Sequence, residues 1–402
     1  MHIAYFELRD SLRVQKQMKC LQHDGGHKIT FLTSGSQVQG PHWNGLIDEY
    51  IDVGVRYPTP PFRQLQRILR IGARPINRRR LAYAVRQLNC DLIHAYGAWG
   101  RHDYTKVVIE NARCPVVFDA YDFVGIRAGV QALRPIERES ERYCFENADA
   151  IVTKFPDEVL NYYRELGYCL PGRILHHQDY CEDSKSLPIE IELEPPNEWH
   201  LVQGGGAAPR SWPADEHGYQ QYHELAQLLN EQEINFHLYP SYTQVGMMKD
   251  LKCYQMLDER LQFFHLHSPK PLDEYRSAIQ TYSLGSWIHP PFASHLTKYY
   301  WYGIGNKLAV YAEAGLPLVV NNELLFGSRI VRDNKIGITF DYDQIHTLRQ
   351  QLDSQDWKQL RFNLAQFREK YSISQQSTRL INFYKQLIHH GDPSVPSDTA
   401  DQ

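Results

Sequence analysis

Lys298, Asn306 and Lys307 lie just ahead of a short apolar segment, Leu308, Ala309, Tyr311 and Ala312, whose spacing gives a helix one apolar side. Gly315 stops that helix, Pro317 follows, and Leu318-Val319-Val320 reads as a buried strand. A helix start turns unpaired backbone N–H groups toward whatever lies in front of it, and two cations at the same end strengthen the field. That combination suits phosphate. A second candidate is Gly204-Gly205-Gly206-Ala207-Ala208-Pro209-Arg210, directly after a strand His200–Gln203. Glycines admit a ligand close to the backbone, and Arg210 can make two-pronged contacts to phosphate oxygens. Both segments also have a plain reading. Helix–Gly–x–Pro–strand recurs in many α/β proteins, and a glycine loop can be a mobile connection with a surface arginine.

These residues need strands to hold them. His2-Ile3-Ala4-Tyr5-Phe6 is a short buried strand, Arg9-Asp10-Ser11 a loop, and Val14, Met18 and Leu21 recur at helical spacing up to Gly25-Gly26. His27 to Thr33 completes a parallel β–α–β unit. Cys90 to Tyr96 and Cys114 to Phe118 are further strands, the second running into Asp119-Ala120-Tyr121-Asp122. In open parallel sheets ligands lie beyond the carboxyl ends of strands, which makes Tyr96, Asp119, Tyr121 and Asp122 candidates. No G-x-G-x-x-G occurs, which speaks against dinucleotide binding. Strands are also expected at Ile234–Tyr239, Leu261–His265, Tyr282–His289 and Ile336–Phe340, with helices at Tyr219–Gln232, Leu272–Ala278, Gly327–Asp333, Ile345–Leu352 and Trp357–Lys370.

Composition limits the alternatives. The chain has 402 residues, comfortable for two domains, with 42% hydrophobic and 22% charged residues and a net charge of −4. That balance favours no nucleic-acid role. No apolar run is long enough to span a membrane. Seven cysteines are scattered with no C-x-x-C pair, so they read as reduced thiols of a cytoplasmic protein rather than a zinc site or disulfide framework. The adjacent His176 and His177 have no converging ligand pattern, and no metal is expected. Arg56 to Arg86 carries nine arginines and no acid. It is either a solvated basic face or a patch, Arg63–Arg86, that meets anionic lipid head groups or a phosphorylated acceptor.

Asn306-Lys307-Leu308, the short helix and Ala314-Gly315-Leu316-Pro317-Leu318-Val319-Val320 resemble the donor-site segment of GT-B glycosyltransferases, in the large retaining nucleotide-sugar-dependent family (glycosyltransferase family 4-like, group 1). Further likenesses run along residues 1–385. They are the β–loop–α–Gly26-His27–β opening, Asp91, Ile93, His94, Pro115-Val116-Val117 and Asp122, Ala148-Asp149-Ala150, and Ile336-Gly337-Ile338. The resemblance implies an α/β GT-B fold of two Rossmann-like parallel-sheet domains facing a central cleft. An acceptor domain would span 1–181, a linker 182–199 and a nucleotide-sugar domain 200–371. A helix 372–390 would cross back to the first domain, before a disordered tail 391–402.

Function is implied in the same way. A hexose would move from a nucleotide-sugar to a sugar, lipid-linked or small-molecule acceptor, with retention and without metal. The nucleotide-sugar would be a co-substrate and no cofactor is expected. Tyr121, Asp122, Lys307 and Arg210 would carry the chemistry. Gly204, Gly205, Gly206, Arg210, His267, Lys298, Tyr302, Asn306, Lys307 and Glu313 would hold the donor, His267 in the loop where relatives seat the base. Arg9, Asp10, Tyr96 and Asp119 would face the acceptor. The chain departs from the pattern where it matters most. Tyr302 and Val310 stand where the family has a pair of Glu, and Tyr96 and Tyr121 stand where it usually has His. A tyrosine can donate a hydrogen bond but, with a pKa of about 10, does not titrate near neutrality. Those departures leave a catalytically inactive sugar- or partner-binding relative as the alternative. A nucleotide-sugar epimerase would need paired acids, and no firm pair is evident.

Overall fold

The computed structural model describes residues 1–8, 11–33, 43, 45–53, 73–97, 101–129, 133–183, 195–291 and 297–390. Two compact units divide the chain. One is Met1–Gln178 with Ile373–Gln402, and the other is Asp179–Ser372. Arg9, Asp10, the arginines from Arg56 to Arg70, most of the expected linker and the tail beyond His390 lie outside the described residues.

The first unit is a seven-stranded parallel sheet in the order β3-β2-β1-β4-β5-β6-β7. Its strands are β1 (His2–Phe6), β2 (Lys28–Thr33), β3 (Glu49–Asp52), β4 (Leu92–Tyr96), β5 (Val116–Ala120), β6 (Ala150–Thr153) and β7 (Ile174–His176). The central strands are buried along almost their whole length, as expected of strands covered by helices on both faces. The helix Ile373–His390 packs along the helix Leu12–Asp24 and buries Leu380, Ile381 and Tyr384.

The second unit is a six-stranded parallel sheet in the order β10-β9-β8-β11-β12-β13. Here β8 is His200–Gly205, β9 Asn235–Pro240, β10 Phe264–Leu266, β11 Leu284–Trp287, β12 Leu318–Asn321 and β13 Gly337–Phe340. Alternate side chains feed two separate cores. Leu201 and Val319 join one with the helices His223–Glu231 and Leu348–Asp353, while Val202, Leu318 and Val320 join the other with Lys307–Glu313 and Leu325–Asn334. This alternation is the period-two geometry of a strand buried on both sides.

Several described elements had no signal in the sequence, three of them at the edge or surface of a sheet. These three are β3 and the helices His102–Asn111 and Lys252–Arg260. The strand β3 is a sheet edge with Glu49 and Tyr50 exposed. The first helix buries His102, Asp103 and Thr105 beside its valines, and the second buries only Tyr254 and Leu257. Neither pattern forms an apolar stripe. The expected helix Ile345–Leu352 begins as a 3-10 segment, Tyr342–Thr347, and turns α-helical only at Leu348. No helix among the described residues is long and apolar enough to cross a membrane.

Candidate functional site

In each sheet the strand order reverses next to the first strand of the unit: between β1 and β4, and between β8 and β11. Ligands of doubly wound sheets bind beyond the carboxyl ends of strands at that point. In the second unit β8 ends in Gly204-Gly205 and β11 runs into His289, and Lys307 joins them. Gly205 has φ +115, and a Cβ placed on it would meet Lys307 Cε at 3.4 Å and Nζ at 4.0 Å. Gly205 thus serves two purposes, a left-handed backbone and room for the lysine. Burial pulls the Lys307 pKa from 10.5 to about 7, and no carboxylate raises it back. Burial, reinforced by the Lys307 charge, holds His289 well below its ordinary value. Its Nδ1 is buried without a partner, and its backbone is fixed by Asn321, which accepts from His289 N at 2.9 Å. Tyr219 and Tyr300 pack against the His289 ring, with centroids at 5.6 and 5.3 Å.

The other glycines of the loop serve their own unit. A Cβ on Gly204 would lie 2.1 Å from the Tyr275 hydroxyl, and one on Gly206 would lie 2.1 Å from the Gln220 amide. Gly204 N donates to the Tyr311 hydroxyl at 2.9 Å. Asn306 occupies the N-cap position of Lys307–Glu313, but its side chain makes no cap bond and its Oδ1 is buried without a partner. That helix is only 7 residues long, so its dipole is weak and the lysine supplies most of the positive field.

Five expected donor residues, Arg210, Lys298, Tyr302, His267 and Glu313, fall elsewhere in the unit. Arg210 is exposed, and its charge acts on His223 and Tyr254 rather than on His289. Lys298 is exposed on the helix Thr297–Tyr302, and Tyr302 ends that helix half-buried. His267 stacks on Tyr239 with centroids 4.2 Å apart and shares a hydrogen bond of 3.0 Å with His237. Burial pulls its pKa to about 4, so it is neutral in ordinary conditions. Glu313 does not reach the loop. It is 1% exposed, ion-paired with Arg276 at 2.9 Å, and accepts from Glu182 N at 3.0 Å. The donor contact expected of it is therefore replaced by an internal ion pair, because its turn of helix faces the core. Val310 is likewise buried in the core.

The strand ends of the first unit correct two expectations. Asp119 and Tyr96 do not open onto solvent, because helix Leu12–Asp24 lays Arg13 and Gln17 across them. Asp119 is fully buried, with Arg13 Nε at 3.0 Å, Gln17 Nε2 donating at 2.9 Å and His94 Nε2 at 3.1 Å. Burial alone would raise its pKa, but Arg13 and His94 outweigh it and hold the carboxyl below the usual range. Tyr96, 2% exposed, bonds Gln17, and His94 Nδ1 lies 2.6 Å from the Tyr384 hydroxyl. Neither Tyr96 nor Asp119 can touch an acceptor from there. Asp122 is buried, and Tyr121, half-buried, has Lys154 Nζ 3.8 Å above its ring. The adjacent histidines separate: His176 pairs with Asp157 at 3.1 Å and His177 is buried. Sequence reasoning passed over His289, Tyr219 and Tyr300. The one available signal for His289 was its place at a strand end, before Pro290-Pro291.

Two doubly wound parallel sheets in one chain, of seven and six strands, are the two halves of a GT-B fold. Solved structures of similar fold bear this out. Anabaena HepE in complex with UDP and glucose matches at 11% identity and a TM-score of 0.62, over 96% of this chain and 100% of that one. A putative UDP-N-acetylglucosamine 2-epimerase from Listeria monocytogenes matches at 11% identity and 0.60, over 100% and 99%. A trehalose-6-phosphate protein from E. coli bound with UDP-2-fluoro glucose matches at 9% identity and 0.61, over 96% and 99%. No family model and no curated protein matches the sequence.

Proposed function

We propose that the protein is a glycosyltransferase that moves a hexose from a nucleotide-sugar to an acceptor, with retention and without metal. One observation carries the reading: an unpaired, half-buried lysine beside a positive-φ glycine at the switch point of the second sheet. A cation held out of water without a counter-ion gains most when an anion arrives. A diphosphate there would keep Lys307 protonated and receive its charge as the sugar C1–O bond breaks. Aimed donors of this kind are worth about 3 kcal/mol each. The acceptor oxygen would bond to C1 on the same face while its proton passes to the departing phosphate, so no protein base is required. Arg210 and Lys298, both exposed, would add charge, Tyr302 and the Asn306 amide would be further donor contacts, and His267 would offer a flat surface for a base. Tyr121 and Asp122 are the groups of the first unit left to meet the sugar. UDP-sugars are the first donors to try, since the similar structures include UDP complexes.

Calorimetry with UDP-, GDP-, ADP- and dTDP-sugars, followed by assay of sugar release, tests the proposal. Binding with slow hydrolysis is the expected result. Silence across the panel would favour the second reading, a sugar- or partner-binding relative without catalysis, which the burial of Tyr96 and Asp119 supports. A peripheral role at anionic membranes through Arg63–Arg86 belongs to the same proposal. Within the described part, Arg78 pairs with Asp103 at 2.8 Å and Arg86 with Asn111 at 2.8 Å, so the attraction would rest on the remaining arginines. Reversing the charge of Arg67 and Arg70 should abolish pelleting with anionic liposomes, and a wild-type chain that does not pellet ends the idea.

A further inference from the structure

The seven cysteines were read as scattered reduced thiols, yet two of them meet. Cys90 and Cys114 lie just before β4 and β5, which pair in parallel with Ile93 opposite Val116. Ile93 N donates to Pro115 O at 3.0 Å, so the backbone at this edge is held in place. The two sulfurs are 3.6 Å apart and both residues are half-buried. We propose that Cys90 and Cys114 form a dithiol modification site that closes to a disulfide by exchange with low-molecular-weight disulfides.

The contact geometry permits closure. Closing the bond asks the sulfurs to approach by about 1.5 Å, within the reach of two χ1 rotations on a fixed backbone. Either thiol can donate in the Cys90–Cys114 contact. That contact lowers the Cys114 pKa and, together with burial, raises that of Cys90, while Asp91 and Asp149 both oppose a thiolate here. With Cys114 as the attacking sulfur, the exchange runs in two steps. Its thiolate displaces one thiolate from the incoming disulfide and forms a mixed disulfide. Cys90 then gives up its proton and attacks Cys114 Sγ, releasing the second thiol. One external disulfide is reduced to two thiols, and the protein loses two hydrogens. The remaining cysteines are internal controls, since Cys169 is exposed, Cys253 half-buried, and Cys20, Cys144 and Cys181 are buried.

The test is peptide mapping of the folded, full-length chain after incubation with oxidised glutathione, acid quench and alkylation. The expected result is a linked Cys90–Cys114 peptide pair, reversed by dithiothreitol, with Cys169 carrying a glutathione adduct instead. The C90S variant should lose the link and retain glutathione on Cys114. Recovery of both wild-type cysteines as alkylated thiols, or each with its own glutathione, overturns the proposal. Because that readout uses the wild-type chain, a variant that fails to fold does not blunt it.

Discussion

The two switch points of this molecule hold opposite kinds of charge. On β5, next to the first switch point, Asp119 is met inside its own unit by Arg13, Gln17 and His94, and no part of it reaches water. Beyond β8 and β11, Lys307 lies by Gly205 and His289, and among the described residues no carboxylate meets it. One unit closes the strand ends near its switch point with an internal ion pair, and the other leaves a lysine there. A buried ion pair satisfied from within holds elements in register, whereas a desolvated cation left unmatched is poised for a ligand anion.

That contrast can be broken most forcefully at Asp119. Asp119→Ala strands Arg13 in a buried site and should destabilise the first unit by about 3–5 kcal/mol. Denaturant titration followed by hydrogen exchange in β4 and β5 checks it, and a loss under about 1 kcal/mol would mean the network is dispensable. Lys307→Met should do the reverse. Donor affinity should fall about ten-fold, or about 1.4 kcal/mol, while stability is unchanged or improved. Calorimetry that shows equal binding removes Lys307 from the site.

The pH dependence sharpens the comparison. Below about 7 Lys307 is protonated both folded and unfolded, whereas between about 7 and 10.5 only the unfolded chain keeps the proton. Stability should therefore rise with pH across that window as the cost of the buried charge disappears. Donor affinity should move the other way, weakening by up to about ten-fold per pH unit above 7, because only the protonated lysine is competent. Flat affinity from pH 6 to 9 would contradict this. The smallest effect is expected at Glu141, the buried carboxylate of the first unit that has no cation. Burial outweighs the bonds from Val124 N, Gly125 N and the Tyr163 hydroxyl, and its pKa rises from 4.5 to about 7. Over that range the unfolded chain releases its proton before the folded one, so stability falls as pH rises. Glu141→Gln keeps the accepting oxygen and should flatten that slope in a thermal-shift series. An unchanged slope would place its origin in another group.

Much of the architecture was legible. Apolar runs such as Ile3-Ala4-Tyr5-Phe6 and Leu318-Val319-Val320, punctuated by Gly25 and Gly315, gave strands and helix ends within a few residues of those observed. The helix that Lys307 opens was legible too, from Leu308, Ala309 and Ala312 ahead of Gly315. The helix His102–Asn111 was not, since its buried polar residues are paid for by tertiary hydrogen bonds such as Thr105 to Tyr96 O at 2.6 Å. The reading of Tyr96, Asp119 and Glu313 as ligand-facing groups failed for a shared reason. Each was judged by its own element's ending, and each is covered by another element.

Local pattern and chain punctuation were enough to specify two parallel α/β units and to mark the glycine loop and the lysine separately as candidates, while only the tertiary fold set Gly205 and Lys307 side by side. Which charges would be neutralised lay beyond local pattern as well. Asp119 meets Arg13 across 106 positions, and His94 meets Tyr384 across 290. Pairings of that range arise only when helices dock on sheets, and a residue's own surroundings in the chain carry no record of what will come to rest against it.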